Sequence, residues 1–99
     1  MHVVGVYHLI WEDKAKNRDV EIMVRYQVSE GNVEVTKITP TRVWLYEGEQ
    51  AEVTKVLPVT KEVGQKVLAR AFHASQSKLG QSKLGQSGLE HEIQSALAV

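Results

Sequence analysis

The residues most able to do chemistry are four histidines, and the chain has no cysteine. The histidines lie at positions 2, 8, 73 and 91, so no two have the short spacing that places metal ligands side by side on a strand or helix. Without a thiol, disulfides, thiolate catalysis and cysteine-ligated zinc are excluded. The sequence therefore predicts no metal site, no cofactor and no catalytic residue.

Other signatures of catalysis are also missing from the sequence. No serine lies in a Gly-x-Ser-x-Gly setting, and there is no Walker-type phosphate loop and no dinucleotide fingerprint. His8 and Glu12 share one face of a predicted strand, but four residues along a strand span about 13 Å, too far for a proton-transfer pair. A protein without enzymatic activity is the expectation that follows.

Charge and hydropathy argue against polyanions and membranes as partners. Twelve basic and twelve acidic side chains cancel, so there is no overall field to recruit nucleic acid. The basic loop 14–18 lies near Trp11 and would place cations beside a stacking surface, but large aromatics in strands are usually core, and nucleic-acid binding is not expected. No segment is long and apolar enough to span a bilayer, and no signal-peptide cleavage pattern is present, so we expect a cytoplasmic protein.

Strands are predicted for the first half of the chain. Residues 2–12 are rich in Val, Ile, Tyr and Trp and are apolar on both alternate faces, which favours a central strand covered on both sides. A polar stretch over 13–19 is expected to be a solvated loop. Residues 20–28 alternate between apolar and polar side chains, which predicts a strand with one buried face.

A hairpin is predicted after this second strand. Gly31 and Asn32 accept positive φ, and pairing Val28 with Val33 or Val35 keeps the valines on one face of the sheet.

The third strand is expected to be irregular. Its alternation fails between Val35 and Ile38, which indicates a bulge, and Pro40 marks an edge or a break because it cannot donate to a ladder. Strand resumes over 42–46, and a weaker strand over 51–57 follows.

A helix is predicted over residues 61–76, with Thr60 as its N-cap. One apolar stripe along it is expected to pack on the sheet; its members are Val63, Val67, Leu68, Ala71 and Phe72.

A five-residue repeat follows this helix. Gln76–Gly80 is repeated as Gln81–Gly85, and a third copy begins at Gln86. A period of five matches neither a helix nor a strand, so we expect a flexible linker over 77–86. A short amphipathic helix over 87–99 then carries Leu89, Ile93 and Leu97 on one face, and is marginal unless it docks on a surface.

These elements predict an α+β fold, an antiparallel β-meander of about four strands packed against one helix, plus a short C-terminal helix. The corresponding units are a domain over 1–76, the linker 77–86 and the helix 87–99.

Two functions remain open from the sequence. The first is a small non-enzymatic interaction module that self-associates as a homodimer or other homo-oligomer, or binds another protein. In this hypothesis the C-terminal helix is the interface, through Leu89, Ile93 and Leu97, although docking of that helix on its own domain is the competing expectation. Little net charge opposes self-association.

The second hypothesis is a small-ligand-binding protein or weak enzyme with a pocket between sheet and helix. Gly5, inside the first strand, marks either packing or the close approach of a ligand. The candidate lining of the pocket is Tyr7, His8, Arg25, Trp44 and His73.

Overall fold

A computed structural model describes residues 3–47, 52–78 and 88–97. A short 3₁₀ helix at Lys14–Lys16 joins the first two strands. The regular elements are β1 Val3–Asp13, β2 Arg18–Ser29, β3 Asn32–Glu47, β4 Glu52–Pro58, α1 Glu62–Lys78 and α2 Gly88–Leu97. The predicted α+β fold, with an antiparallel sheet, a helix after it and a second helix near the C-terminus, is confirmed. The predicted linker lies outside the described residues from position 79 onward, and α1 continues through Lys78.

The core is built on β2, which alternates apolar and polar residues as predicted. Val20, Ile22 and Val24 are fully buried, and Tyr26 continues the same face. The sheet order is β1-β2-β3-β4, with each neighbour antiparallel, so β2 has a strand on each side. Both helices lie on the face that β2 buries, because Leu68 and Phe72 of α1 and residues of α2 belong to the same core cluster.

The hairpin between β2 and β3 has the predicted valine register, with Val28 opposite Val33. Its two central residues are Glu30 and Gly31, with φ of 53° and 80°, and Asn32 pairs with Ser29 as the first residue of β3. Two consecutive positive φ angles define a two-residue turn of the type whose twist matches the strands. The positive φ expected at Asn32 therefore lies at Glu30 instead.

Both irregularities predicted for β3 are present. The register shifts between the pairs Arg25–Lys37 and Tyr26–Val35, which places a bulge in the region where alternation fails. Pro40 lies opposite Ile22, next to a second shift, on a stretch of β3 that has no pairing partner in the described part of β4. A residue without an N–H is tolerated there because no ladder bond to a further strand is required.

β1 is an edge strand, and the prediction that it is central and covered on both sides was wrong. It pairs with β2 residue by residue from Val3 to Asp13 and stands at the end of the sheet order. The helices cover one face of the sheet, so the second apolar face of β1 remains exposed. The predicted loop is also shorter than expected, because β2 starts at Arg18, whose Nε lies 2.8 Å from Asp13 Oδ2.

The stripe predicted for α1 is buried only in part. Leu68 and Phe72 are buried, whereas Val63 and Val67 are exposed, because the face of α1 that meets the sheet runs through Gly64, Leu68 and Phe72, to one side of the predicted stripe. The helix begins at Glu62, and the carbonyl of Lys61 accepts the bond from the Gln65 amide at 3.0 Å. Lys61 therefore occupies the N-cap position, one residue after the predicted N-cap Thr60.

The turn geometry predicts opposite effects of two substitutions. Gly31→Val is expected to lower the free energy of unfolding by more than about 1 kcal/mol, because a β-branched residue is strained at positive φ. Glu30→Asn is expected to raise it by several tenths of a kcal/mol, because asparagine tolerates this conformation better than glutamate. Urea unfolding of both variants measures the two changes. Equal stability of the Gly31→Val variant and the wild type would contradict this turn type.

Candidate functional site

The face of the sheet that the helices leave open is called here the open face. Along β1 it carries Val4, Val6 and Ile10, which are 74%, 47% and 52% exposed. His8 lies between them and is also exposed. Single exposed apolar residues need no explanation, but a row of three on one strand is the kind of surface that marks an interaction site.

The rest of the open face is more polar. Gln27 of β2 donates to Glu34 of β3 at 2.9 Å, and the guanidinium of Arg42 lies 5.9 Å from the centre of the Trp44 ring. Such contacts are typical of a solvated sheet surface. Apart from Val56 of β4, the strongly exposed large apolar side chains described on this face lie on β1.

The five residues predicted to line a pocket lie on different surfaces. Tyr7 is on the helix-covered face, whereas His8, Arg25 and Trp44 alternate onto the open face, and His73 lies on α1. Adjacent strand residues point to opposite faces, so Tyr7 and His8 cannot line the same cavity. Arg25 and Trp44 are separated from Tyr7 for the same reason, and ligand binding by the five residues stays a prediction.

A cavity of 240 Å³ lies where α1, α2 and β3 meet. Its polar members are His73, Gln76 and Glu90. Glu90 is committed to structure, because its Oε2 accepts a hydrogen bond of 2.7 Å from the Val35 amide at the β3 bulge. This volume is below the range of about 300–1,000 Å³ that is usual for ligand sites.

A larger groove of 530 Å³ opens between α1 and the last two strands. It lies beside α1, whose main contact with the sheet is with β3, and it reaches Leu57 and Pro58 of β4. Lys61, which is exposed, lies at its rim. The apolar side chains of its lining are those of Val43, Leu45, Leu57, Pro58, Val59, Val67 and Leu68.

The C-terminal helix docks on the sheet of its own chain. Leu89 and Ile93 are buried in the core, whereas Leu97 is 51% exposed. The Gln94 amide also donates to the Gly31 carbonyl at 3.3 Å, next to the hairpin. Two of the three residues predicted as an intermolecular interface are thus part of the core of a single chain.

A tyrosine of β1 lies beside α2. Burial, followed by the negative charge and hydrogen bonding of Glu92, raises the pKa of Tyr7 above its usual value of 10.0. A pKa raised in the folded state favours the protonated phenol. This contribution to stability is complete below the unfolded pKa and is lost as the pH rises through the folded pKa.

Gly5 serves packing rather than ligand approach. A Cβ at this position would clash with the hydroxyl group of Tyr26, so the tyrosine side chain fills the space above the glycine. The two residues are opposite each other in the β1–β2 ladder. The Tyr26 side chain therefore fills the part of the core beside Gly5, where β1 contributes no side chain.

A polar cluster closes the opposite end of the sheet. The Asn17 side chain donates to the Tyr46 carbonyl at 2.9 Å, and the Tyr46 amide donates to the Asn17 carbonyl at 3.2 Å. The Tyr46 hydroxyl donates to Asp19, and this hydrogen bond, with partial burial and the charges of Asp19 and Glu12, raises the pKa of Tyr46. The cluster joins the β1–β2 loop to β3, and each of these contacts is structural.

Metal binding finds no support in residues 3–47, 52–78 and 88–97, where no group of three His, Asp or Glu side chains is placed to hold an ion. Within the same residues, every buried side-chain nitrogen or oxygen has a hydrogen-bond partner. None of the described helices is long and apolar enough to cross a membrane.

Comparison with known proteins identifies no relative, since no family model, curated protein or solved structure matches the chain.

The feature that sequence reasoning missed is the β1 edge. A signal for it was present, because residues 3–11 contain no lysine, arginine or proline and place apolar side chains on both faces. The same pattern is typical of a buried central strand, and the sequence alone does not tell a strand covered by its own chain from one covered by a second chain.

The docking of α2 predicts a contrast between two of its apolar residues. Ile93→Ala is expected to lower the free energy of unfolding by about 2–5 kcal/mol, because it leaves a cavity in the core. Leu97→Ala, the matched control on the same helix, is expected to change it by no more than about 0.5 kcal/mol, because the side chain is half exposed. Thermal and urea unfolding measure the change in the free energy of unfolding for each variant. Equal effects of the two substitutions would contradict the docked position of α2.

Proposed function

We propose that this chain is a non-enzymatic interaction module that functions by associating with a second copy of itself. The observation that carries the proposal is the apolar surface of β1, exposed on the open face at Val4, Val6 and Ile10. A chain with no net charge offers no electrostatic repulsion against its own copy.

The strength of this association can be estimated. Full burial of one such side chain contributes about 1.5–3 kcal/mol, so covering the exposed part of three residues in each of two copies yields roughly 5–10 kcal/mol. Association itself costs about 4–15 kcal/mol in lost translational and rotational freedom. At the favourable ends of both ranges the net free energy of association is about −6 kcal/mol, a dissociation constant of roughly tens of micromolar, so we expect a concentration-dependent equilibrium rather than a permanent oligomer.

The sheet is a better candidate for the interface than α2. Leu89 and Ile93 of α2 are already buried against β2 and β3, and Leu97 alone of its apolar stripe leaves a large side chain exposed. Exchange of α2 between two copies would rebuild the same contacts and bury little further apolar surface. Association through β1 covers side chains that the single chain leaves in water.

Solution mass tests this proposal. In sedimentation and light-scattering experiments from about 1 µM to about 300 µM, the mass is expected to rise from the monomer value of 11.1 kDa toward twice that value. Added salt is expected to leave the equilibrium nearly unchanged, because the contact is apolar. A mass of 11.1 kDa at every concentration would exclude self-association.

A second candidate function is the binding of a small amphipathic ligand in the groove between α1 and β4. The observation that favours it is the groove's 530 Å³ volume, within the usual range for ligand sites. Its apolar walls suit an aliphatic chain, and Lys61 at the rim suits an anionic head group. A fatty acid has this chemistry.

A fluorescent fatty acid, 11-dansylaminoundecanoic acid, tests the groove. Val67→Glu is expected to weaken its binding by at least about tenfold, because it places a charge in the apolar wall. Val63→Glu is the control, since Val63 is an exposed residue of the same helix that does not line the groove. Equal binding by both variants, or no saturable binding by the wild type, would exclude this ligand site.

A further inference from the structure

The edge of β1 that faces away from β2 has no strand partner among the described residues. The strand is long and regular, pairing without a register shift from Val3 to Asp13. A strand in this position presents a row of backbone N–H and C=O groups that another strand can pair with.

The two edges of the sheet differ in their protection. β4, at the far edge, carries Lys55 and ends at Pro58, and its pairing with β3 is interrupted by a register shift after Leu45. Lysine, proline and bulges are the devices by which natural proteins prevent pairing at an edge. Residues 3–11 of β1 contain none of them. The fold therefore protects one edge and leaves the other open to pairing.

β1 is also incompletely covered on the face that points toward the helices. Tyr7, Leu9 and Trp11 point toward the helices but are only partly buried, because α1 and α2 make their main sheet contacts with β3. A second strand beside β1 would contact the flanks of apolar side chains on both faces at once. This is the surface that a strand neighbour, rather than a ligand or a helix, would bury.

Charge decides the direction of pairing. The acidic residues of β1, Glu12 and Asp13, are both at its C-terminal end. Parallel pairing of two copies would place Glu12 beside its own equivalent, and like charges opposite each other are destabilising. Antiparallel pairing places this acidic end beside Val3 and Val4 of the second copy, so the carboxylates of the two copies stay apart.

Resting on the self-association proposed above, we infer that two copies pair through β1 in antiparallel orientation about a twofold axis at His8. Residue 8 is the midpoint of Val3–Asp13, so this register has the longest overlap. It places Val6 opposite Ile10 of the second copy, and joins the two four-stranded sheets into one continuous sheet. Because the twofold axis is perpendicular to the sheet, all helices lie on the same side.

A matched pair of lysine substitutions tests the edge. Val6 on β1 and Val56 on β4 each lie on the open face of an edge strand and are each 47% exposed. Val6→Lys is expected to weaken dimerisation by at least about tenfold, and Val56→Lys to leave it unchanged. The dimerisation constants are measured by sedimentation, with circular dichroism and melting temperature as the check that each variant folds.

The outcomes separate the two proposals. A wild type that is monomeric at every concentration overturns self-association itself. A wild-type dimer that survives Val6→Lys, or that Val56→Lys disrupts equally, leaves self-association in place and overturns pairing through β1.

A cross-link tests the register and does not depend on the lysine variants. The chain has no cysteine, so His8→Cys introduces a single thiol. Directly opposed residues of an antiparallel pair have Cα atoms about 4.5–5.5 Å apart, within the usual range of a disulfide. In a glutathione redox buffer, oxidised glutathione is the two-electron oxidant. The two introduced thiols form the intermolecular disulfide, while the S–S bond of oxidised glutathione breaks and its two sulfurs take up the two protons as reduced glutathione. His8→Cys is expected to give a covalent dimer and Val56→Cys, the control, a monomer; equal cross-linking of both, or none at His8→Cys, overturns the twofold register.

Discussion

Burial of the inner face of β2 is the constraint on which the remaining structure depends. Val20, Ile22 and Val24 have no exposed surface, and this requires a strand on each side and helices above. β1 and β3 supply the sides, and Phe72 of α1 and Ile93 of α2 supply the cover. The two helices contact the sheet mainly at β3, so they cover the centre of a four-stranded sheet but not its margins. The partial exposure of Tyr7, Leu9 and Trp11 of β1 and the open groove beside β4 both follow from this limited cover.

The bulge in β3 shows how a local irregularity supports a distant contact. The Val35 amide at the bulge donates to Glu90, which is 55 residues away along the chain. Glu90 belongs to α2, which also buries Ile93 in the core. The Gln94 side chain of α2 donates a hydrogen bond to the Gly31 carbonyl in the hairpin. α2 is too short to be stable alone, so these contacts, rather than its intrinsic propensity, hold it in place.

The features that could be predicted from the sequence are those that neighbouring residues determine. The alternation of β2, the register of Val28 with Val33 and the bulge before Ile38 each depend on a few adjacent side chains, and each is confirmed. The position of β1 could not be predicted in the same way. A strand that is apolar on both faces is predicted to be buried on both, but the pattern does not indicate whether the same chain or a second chain buries it.

Which candidate site residues lie close together was even harder to predict from the sequence than the position of β1. Tyr7 and His8 are adjacent in sequence and lie on opposite faces, while His73 reaches a cavity with Glu90 through the packing of two helices. Which side chains meet across such distances depends on crossing geometry that no local pattern contains. Placement of Leu68 inside and Val67 in the groove depends likewise on where α1 crosses β3.

An apolar edge strand is a hazard for any chain, and twofold pairing through β1 is a solution that stops at two copies. An isologous contact uses the same surface on both partners, so formation of one dimer consumes both β1 edges. The edges left at the ends of the joined sheet are then those of β4, with Lys55, Pro58 and the interrupted register. A sheet that exposed two unprotected edges would extend into a fibre. The asymmetry between β1 and β4 is therefore what a chain requires if it is to associate through a strand and remain a closed dimer.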